Sequence, residues 1–357
     1  MASGQAPLSP PSPTSPRDRR AQRLPRGFSA LRHRNYRLFF TGQAISVTGS
    51  WMQTTAQSWL VVSLTTSAFK LGLVNVCQFG PVLLLGLYAG VVADRVSKRT
   101  VLLLTQSTSA ILAATLAYLD RAGRVQLWQV YLVALAFGVV NAFDMPARQA
   151  FVVEMVGKED LPNAIALNSS LFNAGRLVGP AIAGALLASF GTAVCFALNA
   201  ISFLPVIAGL FLMRVPPRPA PMRGRSLAQL REGLSYVRRT PAVALTIALA
   251  GFVATFGMNF AVWIPLLAKG NFHLGAGGFG ALLSALGFGS VAGALSLAFF
   301  SRGARPRFML AMGATLGAGE IVLAVMASAG APAILAMALL PVLGYAMTST
   351  MALANTT

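Results

Sequence analysis

Gly90-Val-Val-Ala-Asp94-Arg95-Val-Ser-Lys98-Arg99 sets one carboxylate beside three cations, in a chain with only nine acidic residues in 357. Two further charges stand alone inside long apolar runs, Arg176 and Glu320. An ionisable group in the middle of an apolar helix costs at least about 2.5 kcal/mol on insertion scales, so it is by default a functional group. Glu320 has the chemistry to bind a proton or a cationic substrate. Arg176, with Asn168 and Asn173 nearby in sequence, has the chemistry to hold an anionic substrate or to pair with Asp144. Catalytic constellations are missing. The chain has two histidines, His33 and His273, and contains neither HExxH nor GxSxG, so an intramembrane enzyme lacks its nucleophile, base or metal. No GxxxxGK[ST] loop exists to hold a nucleotide phosphate, so any work the chain does draws on an ion gradient. The two cysteines, Cys77 and Cys195, fall within apolar runs and read as small packing residues, with no metal or cofactor expected.

The elements that must position these groups follow from composition. Hydrophobic residues make up 55% and charged residues 10%, far from the roughly 25% charge of a soluble domain, so the chain reads as an all-α polytopic membrane protein. Runs long enough for a span of about 20 residues lie near 38–62, 71–93, 100–119, 127–148, 163–189, 192–213, 242–268, 276–300, 308–328 and 332–354. The net charge of +19 does not imply nucleic acid, because the basic residues are dispersed between these runs. They crowd onto alternate loops, leaving only Lys70, Arg121, Arg124 and Lys269 on the opposite side, which places both ends of the chain in the cytoplasm. Residues 1–36 are expected to be a disordered basic tail, 37–213 a six-helix transmembrane half, 214–240 a cytoplasmic linker, and 241–357 a second transmembrane half. Within the linker, Leu227, Leu230, Leu234 and Val237 recur at helical spacing behind Ser226, an amphipathic helix suited to the membrane surface.

In the first span Gln43, Ser46, Ser50, Gln53 and Gln57 recur at intervals of three and four. Such a stripe cannot face lipid, so it lines a water-filled pathway or joins helices by hydrogen bonds. Trp51 and Trp59 offer stacking surfaces, and Asn259 and Trp263 are candidate cavity groups in span 7. Glycines four apart let helices approach closely, as at Gly175/Gly179, followed by the helix-bending Pro180, and at Gly289/Gly293, expected to face each other between the halves.

The spacing Gly90-x-x-x-Asp94-Arg95-x-x-Lys98-Arg99 resembles the span 2–3 signature of the major facilitator superfamily, with Ser97 where that signature usually carries Gly. "RNYRLFFTGQAISVTGSWMQTTAQSWLV" and "FDMPARQAFVVEMVGKEDLPNAIALNSSLFNAGRLVGPAIAGALL" are similar to the branch that contains enterobactin exporters and macrolide-type efflux pumps. Gly175-x-x-x-Gly179-Pro180 resembles the antiporter signature of the exporting branches. The resemblance implies two pseudo-repeat halves and twelve spans, so a chain of ten is expected to be shortened by two. It further implies a gate in which Asp94 works with Arg95, Lys98 and Arg99 and in which Asp144 is the acid, partnered by Arg95, Lys98 or Arg148. The activity implied is export of an amphipathic small molecule, a drug or a siderophore, in exchange for protons. The protein is expected to be a monomer in the inner membrane, with no enzymatic activity. A shortened, non-transporting scaffold is the alternative.

Overall fold

The computed structural model describes residues 26–214, 235–241, 244–245, 260–300 and 306–354, and no strand occurs among them. Chain order gives α1 (Arg34–Leu64), α2 (Ala68–Arg95), α3 (Lys98–Arg121), α4 (Leu127–Phe190), α5 (Thr192–Ser202), α6 (Leu204–Leu212), α7 (Phe260–Leu266), α8 (Ala276–Phe300), α9 (Pro306–Ser328) and α10 (Ala333–Ala354). Seven of the described helical segments are long and apolar enough to cross a membrane. One of them is the 64-residue α4, which carries two expected spans and is broken at Gly157 (φ 73°, ψ −177°), a left-handed conformation that glycine adopts without steric cost. The helix α1 is as long as a span but its polar stripe dilutes its apolar character. Most of the expected span at 242–268 lies outside the described residues, as do Asn259 and the amphipathic helix up to residue 234; residues 235–239 are helical.

Local sequence sets several boundaries. Ser67 caps α2 by accepting from the Lys70 amide (3.4 Å), and Gln126 and Gln129 cap α4 reciprocally, satisfying amides that a helix start leaves free. Pro205 sits in the first turn of α6, where its missing N–H is harmless.

Residues 26–36, expected to belong to a disordered tail, are structured. Arg26–Arg32 form a short 3₁₀-helix and Ala30 is fully buried. The Ala30 amide donates to Asn163 Oδ1 (3.0 Å), and His33 Nε2 meets Asp160 Oδ2 at 2.8 Å. The Tyr36 hydroxyl donates to the Ala164 carbonyl (3.0 Å) and Asn168 Oδ1 (3.1 Å). Hydrogen bonds from Ser29 and His33 hold the Asp160 carboxyl below its ordinary pKa. The segment is thereby tied to the Gly157 turn of α4.

Helices α1 to α6 pack as one group around α1, and α8, α9 and α10 as another. The end of the bundle that carries Arg34, Arg95, Lys98 and Arg214 is here called the basic end, and the end that carries Leu64 and Phe190 the far end. Apolar packing differs sharply between them. At the far end one buried cluster joins Ala56, Leu60 and Leu187 of the first group to Phe279, Leu282, Leu340 and Met347 of the second. At the basic end a separate cluster, from Ala30 and Phe39 to Phe151, Val206 and Met213, contains no residue beyond Met213 among those described. Among the described residues, buried apolar packing joins the two groups at the far end and stays within the first group at the basic end.

Within the second group, Gly289 and Gly293 receive α10. A Cβ built on Gly289 would collide with the Pro341 carbonyl, and one on Gly293 would lie 2.9 Å from the Tyr345 carbonyl oxygen. Gly313 of α9 has nothing within 4 Å. Gly289→Val is expected to destabilise the protein by about 1–3 kcal/mol through overpacking, whereas Gly313→Val changes stability little. Thermal unfolding of the two variants in detergent checks this, with the Gly289 variant unfolding several degrees lower.

Candidate functional site

Asp144 is 2% exposed and lies one turn before Arg148 on the first arm of α4. A carboxylate so placed requires donors on all sides, and the neighbouring helices supply them. Thr105 Oγ1 (2.7 Å) and Gln106 Nε2 (2.8 Å) of α3 donate to one oxygen. Arg148 donates to the other through Nε (2.9 Å) and through a terminal nitrogen, so that both charge-assisted bonds converge on that single oxygen. The second terminal nitrogen of Arg148 donates to Gln43 Oε1 of α1. Three helices meet on one ion pair.

Of the three partners expected for Asp144, Arg148 is the one that the structure places there. Lys98 instead pairs with Glu154 (3.1 Å), linking the start of α3 to the first arm of α4. Sequence reading missed that pair, although Glu154 stands out as a lone acid in "FVVEMV". Arg99 donates to the Phe211 carbonyl (3.0 Å) at the end of α6, and Arg95 is exposed. Asp94 belongs to the last turn of α2; its side chain lies outside the described residues.

The polar stripe of α1 turns inward to its own group of helices, which corrects the pathway-lining expectation. Gln43, Ser46, Gln53 and Gln57 are buried. Gln53 Oε1 accepts from Asn199 Nδ2 (2.6 Å), and Gln57 Nε2 donates to Gln78 Oε1 (3.2 Å). Ser50 is half-buried and donates to the Ser46 carbonyl of its own helix. These groups join helices α1, α2, α4 and α5. The neighbouring stripe of Thr41 and Ile45 is exposed and leads through half-buried Thr48 toward Trp51.

The seam between the groups runs along the second arm of α4. Gly184 and Gly280 of α8 touch backbone to backbone, leaving no room for a Cβ on either, and Cβ atoms on Gly277 and Ala188 would be 3.5 Å apart. Trp59 stacks on Phe279 with ring centres 5.3 Å apart, and Lys269 Nζ donates to the Val62 carbonyl (3.0 Å). Gly175 and Gly179 do not face α8: they pack on Val47, Trp51 and Met52 of α1, while Pro180 is buried. Gly289 and Gly293 pack on α10, so the expected sliding pair is replaced by Gly184 and Gly280. A four-residue glycine spacing shows that some helix approaches closely, not which one.

Arg176 lies on this seam. Its guanidinium sits 5.7 Å from the centre of the Trp51 ring, and a terminal nitrogen reaches Met347 Sδ of α10 (3.5 Å). It does not meet Asp144, whose carboxylate Arg148 holds. Asn173 donates to the Ser169 carbonyl one turn back (2.9 Å), and Trp263 is half-buried against Phe260 (ring centres 4.6 Å apart). Glu320 of α9 is half-buried, with one carboxyl oxygen that has no hydrogen-bond partner among the described residues.

Residues 26–357 match the family of transmembrane secretion effectors, a branch of the major facilitator superfamily. The chain belongs to that family. It is 30% identical to the enterobactin exporter EntS of Escherichia coli and of Shigella boydii over 287 residues, 80% of this chain and 68% of the exporter. It is 31% identical to the staphyloferrin A transporter of Staphylococcus aureus over 166 residues, 46% of this chain and 42% of that protein. The match thus spans less than half the length of the staphyloferrin transporter and about two thirds of EntS. Among solved structures, a bacterial homologue of the human lysosomal transporter Spinster in an inward-facing, unoccupied conformation superposes with a TM-score of 0.64 at 15% identity, covering 89% of this chain and 73% of the other. The nucleoside transporter NupG superposes with a TM-score of 0.63 at 14% identity, covering 90% and 81%. These two likenesses show the fold: this secretion-effector chain is a multi-pass helical membrane protein of major facilitator architecture.

In this family member the Asp144–Arg148 pair buries a carboxylate, so its disruption is costly. The Arg148 side chain is 31% exposed and that of Asp144 2%, so the carboxylate is the partner that cannot be left alone. Arg148→Met is expected to destabilise the protein by about 3 kcal/mol, the low end for a broken buried pair. Asp144→Asn combined with Arg148→Gln recovers most of that loss. Chemical denaturation of the purified variants checks both, and an unaltered midpoint for Arg148→Met contradicts the assignment.

Proposed function

We propose that this chain is a secondary active transporter that exports an amphipathic small molecule, a drug or a siderophore, in exchange for protons. The observation that carries the reading is the unequal packing of the two ends. One apolar cluster joins both helix groups at the far end, while the cluster at the basic end stays within the first group among the described residues. Two bodies joined at one end and separate at the other have the geometry of one state of an alternating-access cycle. Membership of an exporter family and similarity to EntS and the staphyloferrin A transporter support the direction of transport. The crowding of basic residues supports an inner-membrane protein with its N-terminus and basic end in the cytoplasm.

The parts then take roles. Asp144 and Arg148, with Lys98 and Glu154 below them, hold the first group rigid at the cytoplasmic gate, and Asp94, Arg95 and Arg99 provide the charges that the opposite group meets on closing. The route follows the Thr41, Ile45 and Thr48 face of α1 to Trp51, beside Phe172 and Asn173 on α4. Glu320 carries the proton: it is a mid-helix carboxyl with a buried oxygen that has no partner among the described residues, whereas the carboxylate of Asp144 is fully engaged by donors.

Cells that express the chain are expected to extrude a fluorescent amphipathic dye, and a protonophore to abolish that extrusion. Glu320→Gln is expected to lower uphill efflux at least tenfold while downhill exchange persists. Extrusion that withstands the protonophore contradicts proton coupling, and no extrusion above vector cells contradicts the transporter reading.

A further inference from the structure

The acidic residues in this sequence are few enough to be accounted for one at a time, and none pairs with Arg176 among the described residues. They are Asp18, Asp94, Asp120, Asp144, Glu154, Glu159, Asp160, Glu232 and Glu320. Asp144 is held by Arg148, Glu154 by Lys98 and Asp160 by His33. Asp120 is at the far end, accepting from Thr192, and Glu159 is exposed beside the Gly157 turn. Asp94 ends α2 at the basic end, and Asp18 and Glu232 belong to the tail and the linker, away from the seam in sequence. Glu320 is on α9, and no ion pair joins it to Arg176 among the described residues. The sequence of the incompletely described span near 242–268 contains no Asp or Glu, so that stretch cannot supply the missing charge either. A guanidinium therefore stands on the seam between the two helix groups with the Trp51 face and a thioether for company. A thioether is a weak acceptor, and an aromatic face offsets only part of the charge.

We propose that Arg176 is the anchor of a binding site for a small aromatic monocarboxylate. The guanidinium fork matches a carboxylate in plane and can bind it through two parallel hydrogen bonds. A single charge is implied because Arg148, the other mid-helix cation, is already engaged by Asp144 and Gln43. The aromatic part follows from the surroundings. Phe172 is 54% exposed and meets Trp51 edge to face with ring centres 5.4 Å apart. Ser169, Phe172 and Arg176 are three and four residues apart on one face of α4, so a ring whose carboxylate reaches Arg176 lies against Phe172 and Trp51. The seam position also explains why such a ligand would matter. It would touch α1 and α4 of one group and, through the Met347 contact, α10 of the other, so it binds differently once the groups move apart. This inference rests on the transporter reading for its purpose, but the binding site stands on the geometry alone.

The test uses the full chain in lipid nanodiscs and two probes of nearly equal shape, 2-naphthoate and its neutral amide, 2-naphthamide, titrated by calorimetry. The naphthoate is expected to bind at least tenfold more tightly than the amide. Arg176→Gln is expected to bring both to the affinity of the amide, Arg176→Lys to keep part of the preference, and Trp51→Leu to weaken both probes. Equal affinities in the unaltered protein overturn the proposal, as does a naphthoate preference that survives Arg176→Gln. Should Arg176→Gln fail to fold, the unaltered protein and Arg176→Lys decide: a preference that is full and undiminished in Arg176→Lys overturns the fork geometry. Dye efflux measured alongside separates the two readings. Protonophore-sensitive efflux without a naphthoate preference overturns the site and leaves the transporter; naphthoate preference without efflux supports the site and removes the transporter.

Discussion

A bilayer interior offers neither water nor counter-ions, so every charge inside it must find its partner within the protein. Asp144 and Arg148 show what that demand does to a structure. Once the carboxylate is buried, α3 must present Thr105 and Gln106 to one oxygen, and α1 must present Gln43 to the back of the guanidinium. Those contacts fix the rotation of three helices about their axes, and the rest of the first group follows from that orientation. With α1 so turned, its glutamines at 53 and 57 reach Asn199 and Gln78, and its glycines at 42 and 49 meet the helices that follow Gly191.

The same constraint explains why the two helix groups meet as they do. Among the described residues they touch where Gly184 and Gly280 bring two backbones together, where Trp59 stacks on Phe279, and where Gly287 lies against Leu177. Apolar contact between helices in lipid gains little from the hydrophobic effect and depends on close packing, which small residues permit. An interface of that kind can separate without stranding charges. Arg176, set a few turns toward the basic end, is an exception, as is Lys269, which donates to the Val62 carbonyl.

Much of this was legible in the amino-acid sequence, and the failures have a common cause. Helix positions followed from apolar run length, and Arg148 was one of three partners for Asp144 that the family resemblance implied. The pairing of Lys98 with Glu154 did not, because it depends on how α3 lies against α4. The polar stripe of α1 was evident from its period, but periodicity cannot tell which neighbour a stripe faces; here it faces inward to Asn199, Gln78 and Arg148. The glycine pairs failed in the same way: Gly289 and Gly293 were recognised as close-packing positions, yet their partner is α10. Composition marked Arg26–Arg32 as tail, whereas Ala30 and Tyr36 tie that segment to Asn163 and Ala164 far along the chain. What a single stretch encodes was readable. What two distant stretches encode together was not.

The proposed transport cycle requires the helix groups to move apart at the far end, about a seam whose glycines are in contact in this structure. Cysteines at Ala188 and Gly277 test it most directly, because their Cβ atoms would be 3.5 Å apart, at the near edge of the range of about 3.5–4.5 Å that a disulfide spans. In a background with Cys77 and Cys195 replaced by serine, oxidation of the pair is expected to abolish dye efflux and reduction to restore it. Full efflux by the oxidised, cross-linked protein would show that the seam need not open, and would contradict the account.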